Sequence, residues 1–155
     1  MKLKLDANFG DLLRLFGALS VRYLVVGGWA VSVHAQPRAT LDLDVLVGAD
    51  PANISAVYRA LVEFGAPLEH IDKSKFLEPG TFFRLGVPPC QIDIFTKIDG
   101  VEFEECWRNR LEIAVEPEGV IQFISAGDLT KNKIASGRAQ DIADAEAIRR
   151  AQHPK

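Results

Sequence analysis

Two carboxylates one residue apart, Asp42 and Asp44, lie in an apolar run that extends from Leu41 to Val47. Side chains alternate between the two faces of an extended strand, so this pair points to one side while its leucine and valine neighbours enter the core. Adjacent carboxylates repel each other unless a positive group lies between them, and a hard divalent cation such as magnesium is the simplest such group. Because burial of unpaired carboxylates is costly, the pattern favours a metal site over a solvated strand edge.

A third carboxylate, Asp93, lies in a second strand-like run, Gln91-Ile92-Asp93-Ile94-Phe95. Taken alone, Asp93 fits an exposed strand face equally well. If its strand neighbours the strand of Asp42 and Asp44, three carboxylates converge. Such a cluster can hold two magnesium ions, with substrate phosphates completing the coordination.

A Gly27-Gly28 step lies between a β-branched run, 23–26, and a predicted helix, 29–35. A turn without side chains lets backbone N–H groups approach an anion, and the N-terminus of the following helix adds positive potential. Taken alone, the step is more often just a tight turn. It is neither a dinucleotide fingerprint nor a P-loop.

Several other polar residues are candidates for phosphate binding. Arg38 and Thr40 precede the acid pair, where Arg38 would contact a phosphate, the carboxylates or water. Lys133 and Arg138 lie on a C-terminal helix and at its break, from which they could reach a triphosphate. Residues at this spacing, followed by acids such as Asp144, more usually form an ordinary charged helix face.

Hydrophobic periodicity and the Pro and Gly positions divide the chain into alternating elements. Helices are predicted at 9–19, 29–35, 49–63 and 103–110, and from 125 onward with a break at Gly137 before a final helix at 139–151. Strands are predicted at 23–26, 41–47, 81–87, 91–97, 111–115 and 120–124. This order indicates an α/β (α+β) fold with a mixed central sheet flanked by helices.

The bulk composition fits a single globular domain over residues 1–155, with a core at about 20–125 and a helical C-terminal segment at about 125–151. The net charge of −3 argues against general nucleic-acid binding. No apolar stretch reaches the roughly 18 residues of a membrane span. Two cysteines without a paired metal motif, and acidic residues near the N-terminus, predict a reduced protein in the cytoplasm.

Together these motifs resemble the nucleotidyltransferase fold of the polymerase-β type. Its pattern is a Gly-Gly or Gly-Ser turn, an Asp-x-Asp strand and a third Asp on a later strand, here at 26–28, 38–44 and 92–95. The segment 128–144 is similar to the closing K-x-x-A-x-x-R-x-x-D-x-x-D segment of a small bacterial branch. That branch contains AbiEii-type toxins, minimal nucleotidyltransferases and lincosamide nucleotidyltransferases.

The resemblance implies transfer of a nucleoside monophosphate from an NTP to a hydroxyl acceptor, with release of pyrophosphate. It assigns two Mg²⁺ ions, with Mn²⁺ as an alternative, to Asp42, Asp44 and Asp93, and makes Asp93 the residue that helps to deprotonate the acceptor. The remaining implied nucleotide-binding residues are Gly27, Gly28, Arg38, Thr40, Lys133, Arg138 and Asp144.

Two departures from the family pattern bear on substrates and partners. Gly28 followed by Trp29 stands where many members carry a phosphate-binding serine. Larger relatives carry an added helical domain that holds the acceptor, so acceptor binding here could involve a partner protein or a second copy in a homo-oligomer. The acceptor, whether RNA, protein or small molecule, stays open. The alternative function is a toxin–antitoxin subunit or nucleotide-binding module with little or no turnover.

Overall fold

The computed structural model describes residues 6–36, 42–88, 90–117 and 119–153. The helices in these ranges are α1 (Ala7–Ala18), α2 (Gly27–His34), α3 (Pro51–Phe64), α4 (Phe103–Arg108), α5 (Ala126–Ser136) and α6 (Ala139–Gln152), with a single 3-10 turn at Lys73–Lys75. The strands are β1 (Tyr23–Val26), β2 (Leu43–Val47), β3 (Phe82–Leu85), β4 (Ile92–Phe95), β5 (Leu111–Val115) and β6 (Gly119–Phe123).

The strands form one mixed six-stranded sheet in the order β3-β4-β2-β1-β6-β5. The pairs β2–β4 and β1–β6 are parallel, whereas β1–β2, β3–β4 and β5–β6 are antiparallel. The predicted mixed sheet with flanking helices is therefore confirmed. Across the described residues, none of the helices is both long and apolar enough to cross a membrane.

The main core lies on one face of the sheet. The ring of Tyr23 on β1 packs against Phe16 of α1, with ring centroids 5.4 Å apart. Phe83 of β3 contacts Phe76, which in turn contacts Tyr58 of α3. The alternate residues of β2 and β4 that are buried on this face are Leu43, Val45, Val47, Ile92 and Ile94. The residues between them, including Asp44 and Asp93, point to the opposite face. That opposite face is the one available for a functional site.

The helix ends follow the expected capping chemistry. Asp50 accepts a hydrogen bond from the backbone N–H of Asn53, and Pro51 lies at the first position of α3. Ser125 accepts from the backbone N–H of Asp128, and Gly137 ends α5 in the left-handed conformation. The predicted caps at Asp50 and Ser125 and the predicted break at Gly137 are confirmed, whereas α3 covers Pro51–Phe64 rather than 49–63.

Most predicted element ends differ from the structure by one or two residues, and three of the differences concern the predicted site. The second strand starts at Leu43 rather than at 41, so Asp42 precedes it. The strand predicted at 91–97 covers only Ile92–Phe95, because its neighbour β3 ends its pairing at Phe82, opposite Phe95. Gly27 and Gly28 are the first two residues of α2 rather than a turn before it.

The buried amide of Asn53 ties α3 to the ends of two strands. Its Oδ1 accepts from the backbone N–H of Arg22 at 2.8 Å, and its Nδ2 donates to the carbonyls of Arg22 and Gly48 at 3.1 and 2.8 Å. These contacts satisfy backbone groups at the start of β1 and the end of β2.

We predict that Asn53→Ala lowers the free energy of unfolding by about 2–3 kcal/mol, because it leaves buried backbone groups unsatisfied. The measurement is urea denaturation followed by circular dichroism. Ser55→Ala, an exposed change on the same helix, is the control and should cost less than about 0.5 kcal/mol. Equal stability of the two variants would contradict this role of Asn53.

Candidate active site

A row of residues crosses the sheet at right angles to the strands. Asp44 on β2 lies directly opposite Asp93 on β4, and Asp93 lies opposite Arg84 on β3. On the other side, Asp44 lies opposite Val26, the last residue of β1. Because residues in register share a face, the side chains of Arg84, Asp93 and Asp44 project to the same side. The structure therefore brings two of the three predicted carboxylates side by side.

The third carboxylate, Asp42, lies at the edge of this row. Its Oδ1 accepts a hydrogen bond from the backbone N–H of Gln91 at 3.2 Å, which joins the residue before β2 to the residue before β4. Within the described part of the chain, no group of three or more His, Cys, Asp or Glu side chains is arranged as a ready-made metal cage. Asp44 and Asp93 occupy adjacent register positions, and Asp42 is close enough for its charge to raise the pKa of Asp44.

Sequence reasoning missed Arg84, which is the counter-charge of this site. Its Nε and Nη2 donate to the two oxygens of Asp93 at 2.9 and 3.2 Å, forming a two-pronged ion pair. Gln91 adds a third donor to Asp93 at 3.3 Å. The pKa of the Arg84 guanidinium is raised, chiefly by its hydrogen bond to Asp93. The signal available in the sequence was the hairpin register around Pro88, which sets residue 84 opposite residue 93.

Asp44 carries a carboxyl group that resists ionisation. Its pKa is raised to about 6, mainly by burial and then by the negative charges of Asp93 and Asp42. The positive charges of Lys133 and Arg84 offset this effect in part. Negative charge at this position is therefore under-compensated, as expected where a cation is to be bound.

Gly27 closes the row beside Asp44. It has a φ of +65°, and a Cβ at this position would overlap Oδ2 of Asp44. Only glycine combines this backbone conformation with such a close approach. Gly27, the first residue of α2, therefore lies directly against Asp44.

Basic residues of the C-terminal segment face the same site. Lys133 is buried, and its Nζ lies 3.4 Å from Asp141 and 3.2 Å from Asp144. Arg138 donates to both oxygens of Asp141 and holds the pKa of that carboxyl below its usual value. Gln140 donates to Asp144 at 2.9 Å. The sequence did not reveal that these charges form one network, which fixes α5 and α6 relative to each other.

A cavity of about 280 Å³ lies between the carboxylate row and this network. Its lining includes Gly27, Asp44, Phe95, Lys133, Arg138 and Asp141. Glycine, carboxylate and basic side chains predicted from distant parts of the sequence thus line one space. Arg38 and Thr40 lie outside the described residues.

A larger cavity of about 460 Å³ adjoins the first and shares Lys97 and Ile98 with it. Its wall contains apolar side chains such as Phe103, together with the acidic residues Asp50 and Glu104. Arg22 pairs with both of these acids at 2.8 Å. The larger cavity is therefore a largely apolar space whose acidic residues Asp50 and Glu104 are paired with Arg22.

The carboxylate pair fits a magnesium ion when substrate is present. Mg²⁺ is usually held by one or two carboxylates plus substrate phosphates, rather than by a complete cage of protein ligands. Asp44 and Asp93 supply hard oxygen donors side by side, and burial together with the like charges of Asp93 and Asp42 raises the pKa of Asp44. Asp42 is available as an additional ligand from the start of β2.

The fold and the site define a nucleotidyltransferase. Residues 4–150 match the family model described as "Nucleotidyltransferase of unknown function (DUF6036)", and the chain belongs to this family. No curated protein sequence matches the chain.

Two solved structures share the fold. The first is an antigenic nucleotidyltransferase-like protein from Paracoccidioides brasiliensis, with 15% identity and a TM-score of 0.54 over 90% of this chain and 72% of that one. The second is the lincosamide antibiotic adenylyltransferase LnuA in its lincomycin-bound form. It shows 19% identity and a TM-score of 0.58 over 94% of this chain and 96% of that one.

We predict that Asp44→Asn raises the melting temperature at pH 7 in the absence of divalent metal. The folded-state pKa is raised from 3.8 to about 6, so Asp44 costs stability as the pH rises through that range and it ionises. The stability gap between variant and wild type should therefore widen from pH 4 to pH 6 and then stay constant. Differential scanning calorimetry across this range measures it.

Added Mg²⁺ with an NTP should raise the melting temperature of the wild type but not that of Asp44→Asn. Asp11→Asn, which changes an exposed carboxylate on α1, should behave as the wild type in both respects. A variant no more stable than the wild type at pH 7, with an undiminished response to Mg²⁺ and NTP, would show that Asp44 is not the buried metal ligand.

Proposed function

We propose that this nucleotidyltransferase moves a nucleoside monophosphate from an NTP to a hydroxyl acceptor in a metal-dependent reaction, with release of pyrophosphate. The observation that carries the proposal is the parallel register of β2 and β4, which sets Asp44 beside Asp93 and next to Gly27. The family match supports the general class of transfer. The metal dependence and the role of each residue are parts of the proposal.

The triphosphate would occupy the 280 Å³ cavity. Backbone N–H groups at the start of α2, beside Gly27, are free of the usual intrahelical partners and suit phosphate oxygens. Lys133 retains a third N–H beyond those directed at Asp141 and Asp144. Arg138 is mostly exposed on the opposite rim, and its Nη1 takes no part in the pair with Asp141. Asp144 would act through Lys133 by fixing its position.

Two Mg²⁺ ions at Asp42, Asp44 and Asp93, or Mn²⁺ in their place, would neutralise charge on the phosphates and polarise the reacting phosphoryl group. Asp93 would accept the proton of the acceptor hydroxyl. Arg84 fixes the position of the Asp93 carboxylate through the two-pronged pair. The acceptor oxygen then attacks the α-phosphorus, and pyrophosphate leaves on the opposite side.

The test is incubation with each α-labelled NTP, Mg²⁺ and a cell lysate, followed by separation of labelled macromolecules and metabolites. Wild-type protein should label an acceptor, and Asp44→Asn and Asp93→Asn should each lower the rate by about 10²- to 10³-fold. Asp11→Asn is the matched control and should retain the wild-type rate.

Unchanged transfer in both site variants would contradict the assigned roles. Metal-dependent NTP binding without transfer to any acceptor would instead fit a nucleotide-binding module.

A further inference from the structure

The edge strand β3 carries an aromatic and cationic surface that continues the carboxylate row. The ring of Phe82 stacks on that of Phe95, with centroids 5.4 Å apart and an interplanar angle of 24°. The guanidinium of Arg84 lies 5.2 Å from the centroid of Phe82. We call Phe82, Arg84 and Phe95 the β3 edge surface.

The β3 edge surface is accessible, although large aromatic side chains are usually buried. Phe82 is 48% exposed, and the side chain of Arg84 is 54% exposed even though it pairs with Asp93. That pair uses Nε and Nη2 of Arg84, so Nη1 takes no part in it. The exposed ring of Phe82 therefore lies next to the Arg84 guanidinium, which has donors left over. Both lie at the end of the row that contains the carboxylates of Asp44 and Asp93.

The in-line geometry of the reaction indicates which substrate binds at the β3 edge surface. In phosphoryl-type transfer, the attacking and leaving oxygens lie on opposite sides of the phosphorus. If the leaving pyrophosphate lies toward Gly27 and Lys133, the acceptor enters from the other end of the row, beyond Asp93. The β3 edge surface is at that end.

The chemistry of this surface fits a nucleotide. An aromatic face stacks on a nucleobase of any sequence, and arginine binds phosphate through its planar set of donors. The larger cavity fits such a ligand less well, because its surroundings have a net negative charge. Arg22 pairs with Asp50 and Glu104 there, and Lys97 adds one positive charge, but Glu102 leaves the balance negative. With a net charge of −3, the chain would bind one terminal nucleotide rather than a long phosphate backbone.

We infer that the β3 edge surface binds the acceptor, and that the acceptor is a ribonucleotide with a free hydroxyl, either the 3′ end of an RNA or a free nucleotide. Its base stacks on Phe82 and its phosphate contacts Arg84, which leaves the ribose hydroxyl facing Asp93. The hydroxyl oxygen bonds to the α-phosphorus of the NTP, the bond to pyrophosphate breaks, and the proton passes to Asp93. This inference rests on the proposed transferase function.

The test compares acceptors under one condition, with labelled NTP and Mg²⁺. The acceptors are a single-stranded oligoribonucleotide with a 3′-hydroxyl, the same oligonucleotide with a 3′-phosphate, a nucleoside monophosphate, an unfolded protein and a cationic amino sugar. The 3′-hydroxyl oligonucleotide or the nucleoside monophosphate should be labelled, which distinguishes the two sources. The blocked oligonucleotide, the protein and the amino sugar should not be labelled.

Phe82→Ala should raise the KM for the labelled nucleotide acceptor by about tenfold, since stacking on an aromatic side chain contributes of that order per base. The KM for the NTP should stay the same. Val87→Ala, an exposed apolar change just beyond β3, is the control and should alter neither value.

Two kinds of failure are separable. A wild-type protein that binds no NTP with Mg²⁺ would overturn the transferase function and the acceptor surface with it. A protein that binds the NTP but labels only the protein or the amino sugar, or labels nothing, would overturn the nucleotide acceptor alone. An unchanged acceptor KM in Phe82→Ala would also overturn it.

Discussion

The parallel pairing of β2 with β4 is the constraint on which this site depends. It fixes Asp44 opposite Asp93 on the face of the sheet that the main core leaves available. The antiparallel neighbours extend the same row, with Arg84 at one end and Val26 and Gly27 at the other. A slip of one residue would turn one carboxylate into the core and destroy the arrangement. Backbone hydrogen bonding thus sets the spacing of the charged groups.

The electrostatics of the row follow from this placement. Asp44 is largely buried and lies near other carboxylates, and both effects raise its pKa. Asp93 is instead paired with Arg84, which lies on the exposed edge strand. On the other side of the cavity, Lys133 and Arg138 are held by Asp141 and Asp144 rather than by the carboxylate row. Two charge systems therefore face each other across a space of about 280 Å³. A bound metal ion would neutralise the carboxylates, and a triphosphate would pair with Lys133 and Arg138.

Much of the fold and part of the site were predictable from the sequence. Alternation around Asp44 and Asp93 predicted two strands with carboxylates on one face, and the Asp50 and Ser125 caps marked helix starts. The sequence could not show that β3 and β4 pair with each other, and only once this pairing is known does the hairpin register around Pro88 set Arg84 opposite Asp93. Nor could helix periodicity show that Lys133 is buried between two carboxylates, since charged residues at that spacing usually face solvent.

The central claim is that Asp44 and Asp93 together bind a divalent ion when an NTP is present. The most direct measurement is a crystal structure with Mn²⁺ and an NTP analogue that cannot be cleaved at the α-phosphorus, with Mn²⁺ located by its anomalous scattering. We expect Mn²⁺ bound to oxygens of both carboxylates and to the triphosphate, beside Gly27. Mn²⁺ bound elsewhere, with Asp93 in contact only with Arg84 and Gln91, would contradict the account.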